Sequence, residues 1–82
     1  MQKHVKVYMD YFGYGEQDVI LCENCGQRAS DVHHLVFRSH GGGNEIENLC
    51  AVCRTCHDSA HDLPEFNLRL MKIHLSKLDN RY

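Results

Sequence analysis

Apolar side chains near the start of the chain recur at the spacing of one face of a helix. The residues at positions i, i+3, i+4 and i+7 are Val5, Tyr8, Met9 and Phe12. This periodicity predicts a short N-terminal helix over about residues 3–12. Gly13 and Gly15 follow it, as is typical of a helix end.

Two extended segments and a polar loop occupy the middle of the chain. The segment DVHHLVF at 31–37 is rich in β-branched and aromatic residues and predicts a strand, and NLCAV at 48–52 predicts a second one. Between them, RSHGGGNEIE combines glycines with polar and charged residues, which indicates an exposed loop. We expect Gly41, Gly42 and Gly43 to make this loop flexible.

Two helices are predicted after the second strand. The first begins between Cys53 and Cys56 and runs to about Asp62, and Pro64 starts a C-terminal helix over about residues 64–78. This last helix has a broad apolar face, expected to be core or a dimer contact, made of Phe66, Leu68, Leu70, Met71, Ile73, Leu75 and Leu78. Its opposite face is basic and is expected to be solvated, with Arg69, Lys72, Lys77 and Arg81.

The length of 82 residues indicates one small domain over positions 1–82. Ordering such a chain costs roughly 1.5 kcal/mol of free energy per residue. This cost nearly cancels the free energy that a domain of this size gains by burying apolar surface. The sequence therefore predicts an additional cross-link, which is either a set of disulfides or a metal site.

Four of the five cysteines form two CxxC pairs, Cys22 with Cys25 and Cys53 with Cys56. Each pair supplies two thiolates from one tight turn, and two such pairs complete the tetrahedral site that Zn²⁺ prefers. The sequence therefore predicts a structural zinc ion. The fifth cysteine, Cys50, is expected to be a small buried hydrophobic residue on the second strand.

Other uses of the cysteines fit the sequence less well. Disulfides are disfavoured because no signal-like segment or membrane-spanning run is apparent, which favours a soluble protein of a reducing, cytoplasmic compartment. A Cys2His2 site with His57 and His61 would leave Cys53 and Cys56 unused. A thioredoxin-like redox role is disfavoured because no βαβ pattern surrounds either pair.

The net charge of −2 and the pI near 6.3 do not suggest a strongly basic nucleic-acid-binding protein. Four zinc-bound thiolates remove four charges and two divalent ions add four. The balance stays at −2, but positive charge is concentrated at one site.

Two pairs of histidines stand out in the sequence. His57 and His61 stand four residues apart, so both project from one face of the predicted helix. Cys56 and His57 differ by about 100° around that helix, so an ion at the histidine pair would lie beside the cysteine site without sharing its ligands. His33 and His34 are adjacent on the first strand and therefore point to opposite faces.

These residues, in this order and spacing, resemble the HNH endonucleases, in the version found in colicin DNases. The motif comprises His33, His34, Asn48, His57 and His61. The flanking CxxC pairs are similar to those of zinc-containing HNH proteins of phages and McrA-like restriction enzymes. The resemblance covers about residues 20–62. It implies a small, metal-stabilised α+β fold with a treble-clef-like ββα-metal core between N- and C-terminal helices.

The resemblance also implies roles. In the family the catalytic divalent ion is held by side chains at the positions of His33, His57 and His61. His34 corresponds to the general base, and Asn48 to the residue whose side chain spans the loop between the strands. Arg38, at the entrance to that loop, is expected to contact a phosphate of the DNA. Three imidazole ligands favour Mn²⁺, Ni²⁺, Co²⁺ or Zn²⁺ over Mg²⁺.

The expected function is therefore metal-dependent hydrolysis of DNA phosphodiester bonds with low sequence specificity, by nicking or double-strand cleavage. Two alternatives stay open, a non-catalytic zinc-binding interaction module and a nuclease subunit that depends on phage packaging proteins. A homodimer is also compatible with the sequence. The remaining histidines are expected at the surface, and these are His4, His40 and His74.

Overall fold

A computed structural model describes residues 2–79, so Arg81 of the predicted basic face lies outside the described residues. The fold is a small α+β arrangement, as the sequence predicted. Its elements in chain order are α1 (Lys3–Phe12), β1 (Asp31–His34), β2 (Leu49–Val52), α2 (Arg54–Asp62) and α3 (Pro64–Asp79). Two short 3₁₀ turns, Arg38–His40 and Ile46–Asn48, lie between the strands. Within the described chain, no helix is long and apolar enough to span a membrane.

The two strands pair antiparallel, with His33 opposite Cys50 and His34 opposite Leu49. The predicted extension of the first strand to residue 37 is wrong. The Leu35 N–H still donates to the backbone oxygen of Asn48, but the next amide donates to the Asn48 side chain instead. The ladder ends there because a side chain replaces the backbone partner. The second strand begins after Asn48, not at it, because the Asn48 N–H donates to the Glu45 oxygen within the preceding 3₁₀ turn.

Helices cover both faces of this two-stranded sheet. All four residues of β2 are buried. On one face Val52 and Cys50 pack with Leu70 of α3 and with residues of α2. On the other face Leu49 and Ala51 pack against α1 through Tyr8, which is 0% exposed. The sheet is therefore the middle layer between α1 and the α2–α3 pair.

The apolar face predicted for the last helix is only partly core. Leu70 is fully buried, and Phe66 and Met71 pack against the same cluster. Leu68 and Leu75 lie on the outer side of α3 and are 56% and 48% exposed. The basic face is also not uniformly solvated, because the ammonium group of Lys77 lies 4.9 Å from the centre of the Phe12 ring, within the range of a cation–π contact.

The four cysteines of the two CxxC pairs converge between the loop before β1 and the start of α2. Their sulfur atoms all lie within 4.8 Å of one another. The Cys25 sulfur is 3.6 Å from that of Cys53 and 3.9 Å from that of Cys56. A zinc–sulfur bond of about 2.3 Å places tetrahedral ligands about 3.8 Å apart. The cluster therefore fits a structural zinc ion, while Cys50 is separate and fully buried.

Polar groups favour the thiolate form of Cys22, whereas burial is the main cause that raises the pKa of the Cys56 thiol. Burial raises the pKa of the Cys22 thiol, but backbone N–H groups of Cys25 and Cys53 lower it more strongly, to about 7. The Cys56 N–H faces the Cys53 sulfur at 3.5 Å, as expected for the first turn of a helix that Cys53 caps. The Asn24 side-chain amide, which the sequence did not single out, lies 3.4 Å from the Cys56 sulfur.

His74 is fully buried, so its expected place at the surface is wrong. Its Nδ1 lies 2.9 Å from Oε1 of Glu23, and its Nε2 donates to the backbone oxygen of Ile46 at 2.6 Å. The Tyr8 hydroxyl donates to the other oxygen of Glu23 at 2.7 Å. This network joins α1, the loop of the first CxxC pair, the second 3₁₀ turn and α3.

The Glu23–His74 contact is a buried ion pair. Burial lowers the pKa of His74, but the hydrogen bonds to Glu23 and Ile46 raise it more, so its pKa lies above the usual 6.5. Burial raises the pKa of Glu23, but hydrogen bonds from His74 and Tyr8 bring it below the usual 4.5. Both groups are therefore charged at pH values between 4.5 and 6.5, and the pair contributes its full stabilisation in this range.

Replacing His74 tests this network. His74→Ala leaves a buried carboxylate without its partner, so we expect a loss of about 3–5 kcal/mol in the free energy of unfolding of the zinc-loaded protein. The loss should be largest between pH 4.5 and 6.5, the ordinary pKa values of the two groups. It should shrink as the pH rises through the raised pKa of His74 or falls through the lowered pKa of Glu23, where the wild type loses the contribution as well. Denaturant unfolding at several pH values measures both effects. The exposed His40→Ala should change stability by no more than about 0.5 kcal/mol.

Removing zinc tests the cysteine cluster. Structural zinc contributes about 10–16 kcal/mol of apparent binding free energy in small domains, against a net stability of about 5–15 kcal/mol. We therefore expect a strong chelator to unfold the chain, as followed by circular dichroism, and Cys56→Ser to lose the bound zinc in elemental analysis. The buried Cys50→Ala, at a position outside the cluster, should keep it. A chain that stays folded without metal would contradict the predicted role.

Candidate metal centre

A second cluster of predicted residues borders an open cavity of about 320 Å³ on the face of β1 and α2. The cavity walls include all four histidines that the motif singles out, which are His33, His34, His57 and His61. Arg38 lines the same cavity. Residues that are up to 28 positions apart in the sequence thus surround one space large enough for a phosphate group.

Three of these histidines converge on one point. His33 comes from β1, and His57 and His61 lie one turn apart on α2. One ring nitrogen of each lies within 4.8 Å of the others, and the Nε2 atoms of His57 and His61 are 3.2 Å apart. Metal–nitrogen bonds of about 2.0–2.1 Å place tetrahedral ligands about 3.3 Å apart. The arrangement therefore fits a divalent ion.

Phe37 supports this cluster, although the sequence pattern gave no reason to select it. Its ring stacks on His61 with the centroids 4.8 Å apart and the planes inclined by 15°. It also meets the edge of His33 at 5.8 Å. Phe37 therefore limits the rotation of two rings whose nitrogen atoms would bind the ion.

The surroundings keep two of these imidazoles in the neutral form that binds metals. Burial is the main cause that lowers the pKa of His33 and of His57. The Nδ1 atom of His57 is buried and makes no hydrogen bond within the described residues. The carboxylate of Asp31 lies 3.7 Å from this atom and also 3.4 Å from the guanidinium of Arg54. A negative charge thus stands close to one of the three converging histidines, beyond hydrogen-bond distance.

His34 is separated from the three-histidine cluster. While His33 contacts rings of α2, His34 lies 4.7 Å from the ring of His4 on α1 and 2.9 Å, through Nε2, from Oδ1 of Asn44. His4, which was expected at the surface, is partly exposed, and its ring lines the cavity. Burial is the first cause that lowers the pKa of His4, followed by the neighbouring His34.

Asn48 ties the loop between the strands to the end of β1. Its Oδ1 accepts the N–H of Val36 at 2.6 Å, and its Nδ2 donates to the backbone oxygens of Val36 and Gly43 at 3.1 and 2.9 Å. Gly42 is closely packed in this loop, because a Cβ there would collide with the Val36 carbonyl oxygen. Gly42 therefore allows the loop to pack closely against the end of β1.

A third group of possible ligands is already satisfied within the protein. Glu23, Cys50 and His74 also place one ligand atom each within 4.8 Å of the others. Both ring nitrogens of His74, however, are hydrogen-bonded to Glu23 and to the Ile46 carbonyl. An ion here would have to displace a complete buried network, so this group is structural.

The comparisons with known proteins agree with the geometry. The sequence profile of the HNH endonucleases matches residues 22–63, about half of the chain. The type IV methyl-directed restriction enzyme EcoKMcrA of Escherichia coli (strain K12) is 34% identical over 56 residues, which cover 56% of this chain and 20% of that enzyme. The chain thus spans about a fifth of the length of this curated relative, and no solved structure matches it. The chain belongs to the HNH endonuclease family.

Proposed function

We propose that this chain is a metal-dependent endonuclease that hydrolyses DNA phosphodiester bonds. The observation that carries the proposal is the convergence of His33, His57 and His61 on one point while His34 borders the same cavity from the other side of the strand. Membership of the HNH family supports a nuclease, and the likeness to a restriction enzyme supports DNA as the substrate.

His34 acts as the general base in this proposal. A carbonyl oxygen only accepts hydrogen bonds, so the contact with Asn44 Oδ1 places the proton of the neutral ring on Nε2. Nδ1 is then free to take a proton from the attacking water. Asn44 thus orients the base.

The three-histidine cluster binds the divalent ion. When bound, the ion supplies Lewis-acid stabilisation of the charge that develops on the phosphate and on the leaving oxygen. His33, His57 and His61 are neutral ligands, so they leave the full positive charge of the ion for the phosphate. Nitrogen ligands favour Mn²⁺, Ni²⁺, Co²⁺ or Zn²⁺, and Mg²⁺ suits this site least.

The other cavity residues position the substrate and the loop. Asn48 holds the backbone of Val36 and Gly43, and through them keeps the loop that carries Asn44 next to His34. The exposed Arg38 at the cavity wall contacts a phosphate oxygen of the DNA. Contacts to phosphates carry no base information, so we propose low sequence specificity.

Replacing His34 tests the general base. His34→Ala should lower the rate of plasmid cleavage by about 10²–10⁴-fold, the usual contribution of a general base. Its affinity for the catalytic ion should be unchanged, because His34 is not among the three ligands. Gel assays of supercoiled plasmid in Mn²⁺ or Ni²⁺ measure the rate and separate nicking from double-strand cleavage. His40→Ala, at an exposed histidine, is the matched control, and equal rates for wild type and His34→Ala would remove His34 from the chemistry.

Counting bound metal tests the second site. We expect two ions per chain in the active protein and one in His57→Ala, because the cysteine cluster keeps its zinc while the histidine cluster loses a ligand. Elemental analysis after dialysis against Ni²⁺ measures both ions. A wild-type chain that holds one ion, unaffected by His57→Ala and without cleavage activity, would instead identify a non-catalytic zinc-binding module.

A further inference from the structure

We infer that Asn67 is a positioning residue that determines which ring nitrogen of His33 binds the catalytic ion. This inference rests on the proposed metal centre. It concerns a residue of α3 that lies beyond residues 22–63, the part of the chain that matches the HNH family. The family motif therefore does not include it.

Asn67 links two elements of the site through its side chain. Its Oδ1 lies 2.8 Å from Nε2 of His33, and its Nδ2 donates to the backbone oxygen of Leu35 at 2.8 Å. Both partners are buried, with His33 2% and Leu35 3% exposed. A buried imidazole is thus fixed by an amide whose other end is also anchored.

The contacts of Asn67 with His33 and with Leu35 together determine which ring nitrogen of His33 carries the hydrogen. The Leu35 oxygen only accepts hydrogen bonds, so the NH₂ end of the Asn67 amide must face it, and the Oδ1 end must face His33. Oδ1 in turn only accepts, so Nε2 of His33 must carry the hydrogen. Nδ1 of the neutral ring is then the nitrogen with a free lone pair, and we assign it as the metal-binding atom.

The interruption of the helix between α2 and α3 places Asn67 next to His33. Helix α2 ends at Asp62, and α3 begins at Pro64 after an extended Leu63. The Asn67 N–H donates to the Leu63 oxygen at 3.3 Å, so its side chain projects from the first turn of α3. His33 is therefore held from two sides, by the histidine rings of α2 and by the amide of α3.

The effect of removing Asn67 on metal affinity depends on which ring nitrogen of His33 binds the ion. If the ion bound Nε2 of His33, it would have to displace Asn67, and removal of the amide would strengthen metal binding. If the ion binds Nδ1, the amide holds the ring in its binding orientation and removal weakens binding. Partners of this kind typically contribute 10–100-fold to metal affinity.

The experiment is calorimetric titration of the zinc-loaded chain with Ni²⁺. Asn67→Ala should bind Ni²⁺ about 10–100-fold more weakly than the wild type. Asn67→Asp keeps an acceptor for the His33 N–H, so it should restore most of the affinity. The control is Glu65→Ala, at an exposed position in the same helical turn, with unchanged affinity. Unchanged or tighter binding by Asn67→Ala would overturn the inference.

The protonation of the His33 ring gives a second readout that a merely structural role would not change. Long-range ¹H–¹⁵N spectra of the zinc-loaded chain without nickel should place the hydrogen on Nε2 in the wild type and in Asn67→Asp. They should show a mixture of both tautomers in Asn67→Ala. His33→Ala identifies the signals by their loss. A wild-type ring with its hydrogen on Nδ1 would contradict the assignment even if Asn67→Ala were too unstable for titration.

The outcomes also separate this inference from the proposed function. A chain that binds Ni²⁺ through His57, loses affinity in Asn67→Ala and cuts no DNA would contradict the nuclease function and support the role of Asn67. A chain that cuts DNA but whose Ni²⁺ affinity is the same in Asn67→Ala would contradict the inference alone.

Discussion

The convergence of four thiols between the first loop and the start of α2 is the constraint on which the remaining structure depends. Cys53 caps α2 and Cys56 lies in its first turn, so binding of both by one ion sets the rotation of the helix about its axis. His57 and His61 follow on another face of the same helix and are thereby directed at His33. The cysteines of the predicted zinc site and two histidines of the proposed catalytic site thus share one short helix, which would let a chain of 82 residues hold two metal sites.

Chain geometry also keeps the proposed base apart from the proposed metal ligands. Adjacent residues of a strand face opposite sides, so His33 meets α2 while His34 meets α1 and Asn44. The Asn48 side chain then accepts the hydrogen bond from the Val36 N–H, which a backbone oxygen would accept in a longer strand. The early end of β1 is thus the feature that lets the loop fold back beside His34.

The helices outside the family motif complete both the core and the site. The buried Glu23–His74 pair, with Tyr8 against it, joins α1 and α3 across the sheet. The same two helices bring His4 next to His34 and Asn67 next to His33. They therefore do more than cover apolar surface, because each adds a polar side chain to the proposed site.

The sequence by itself determined the helix and strand order and the four-cysteine cluster, because these follow from apolar periodicity and ligand spacing. The grouping of His33 and His34 with His57 and His61 came from the resemblance of the motif to the HNH endonucleases. Only the tertiary structure decided that His74 is buried, that Gly42 is closely packed, and that Phe37, Asn44 and Asn67 border the site. A lone histidine, phenylalanine or asparagine carries no local signal of its partner. Its role depends on contacts between residues far apart in the chain, which spacing rules do not encode.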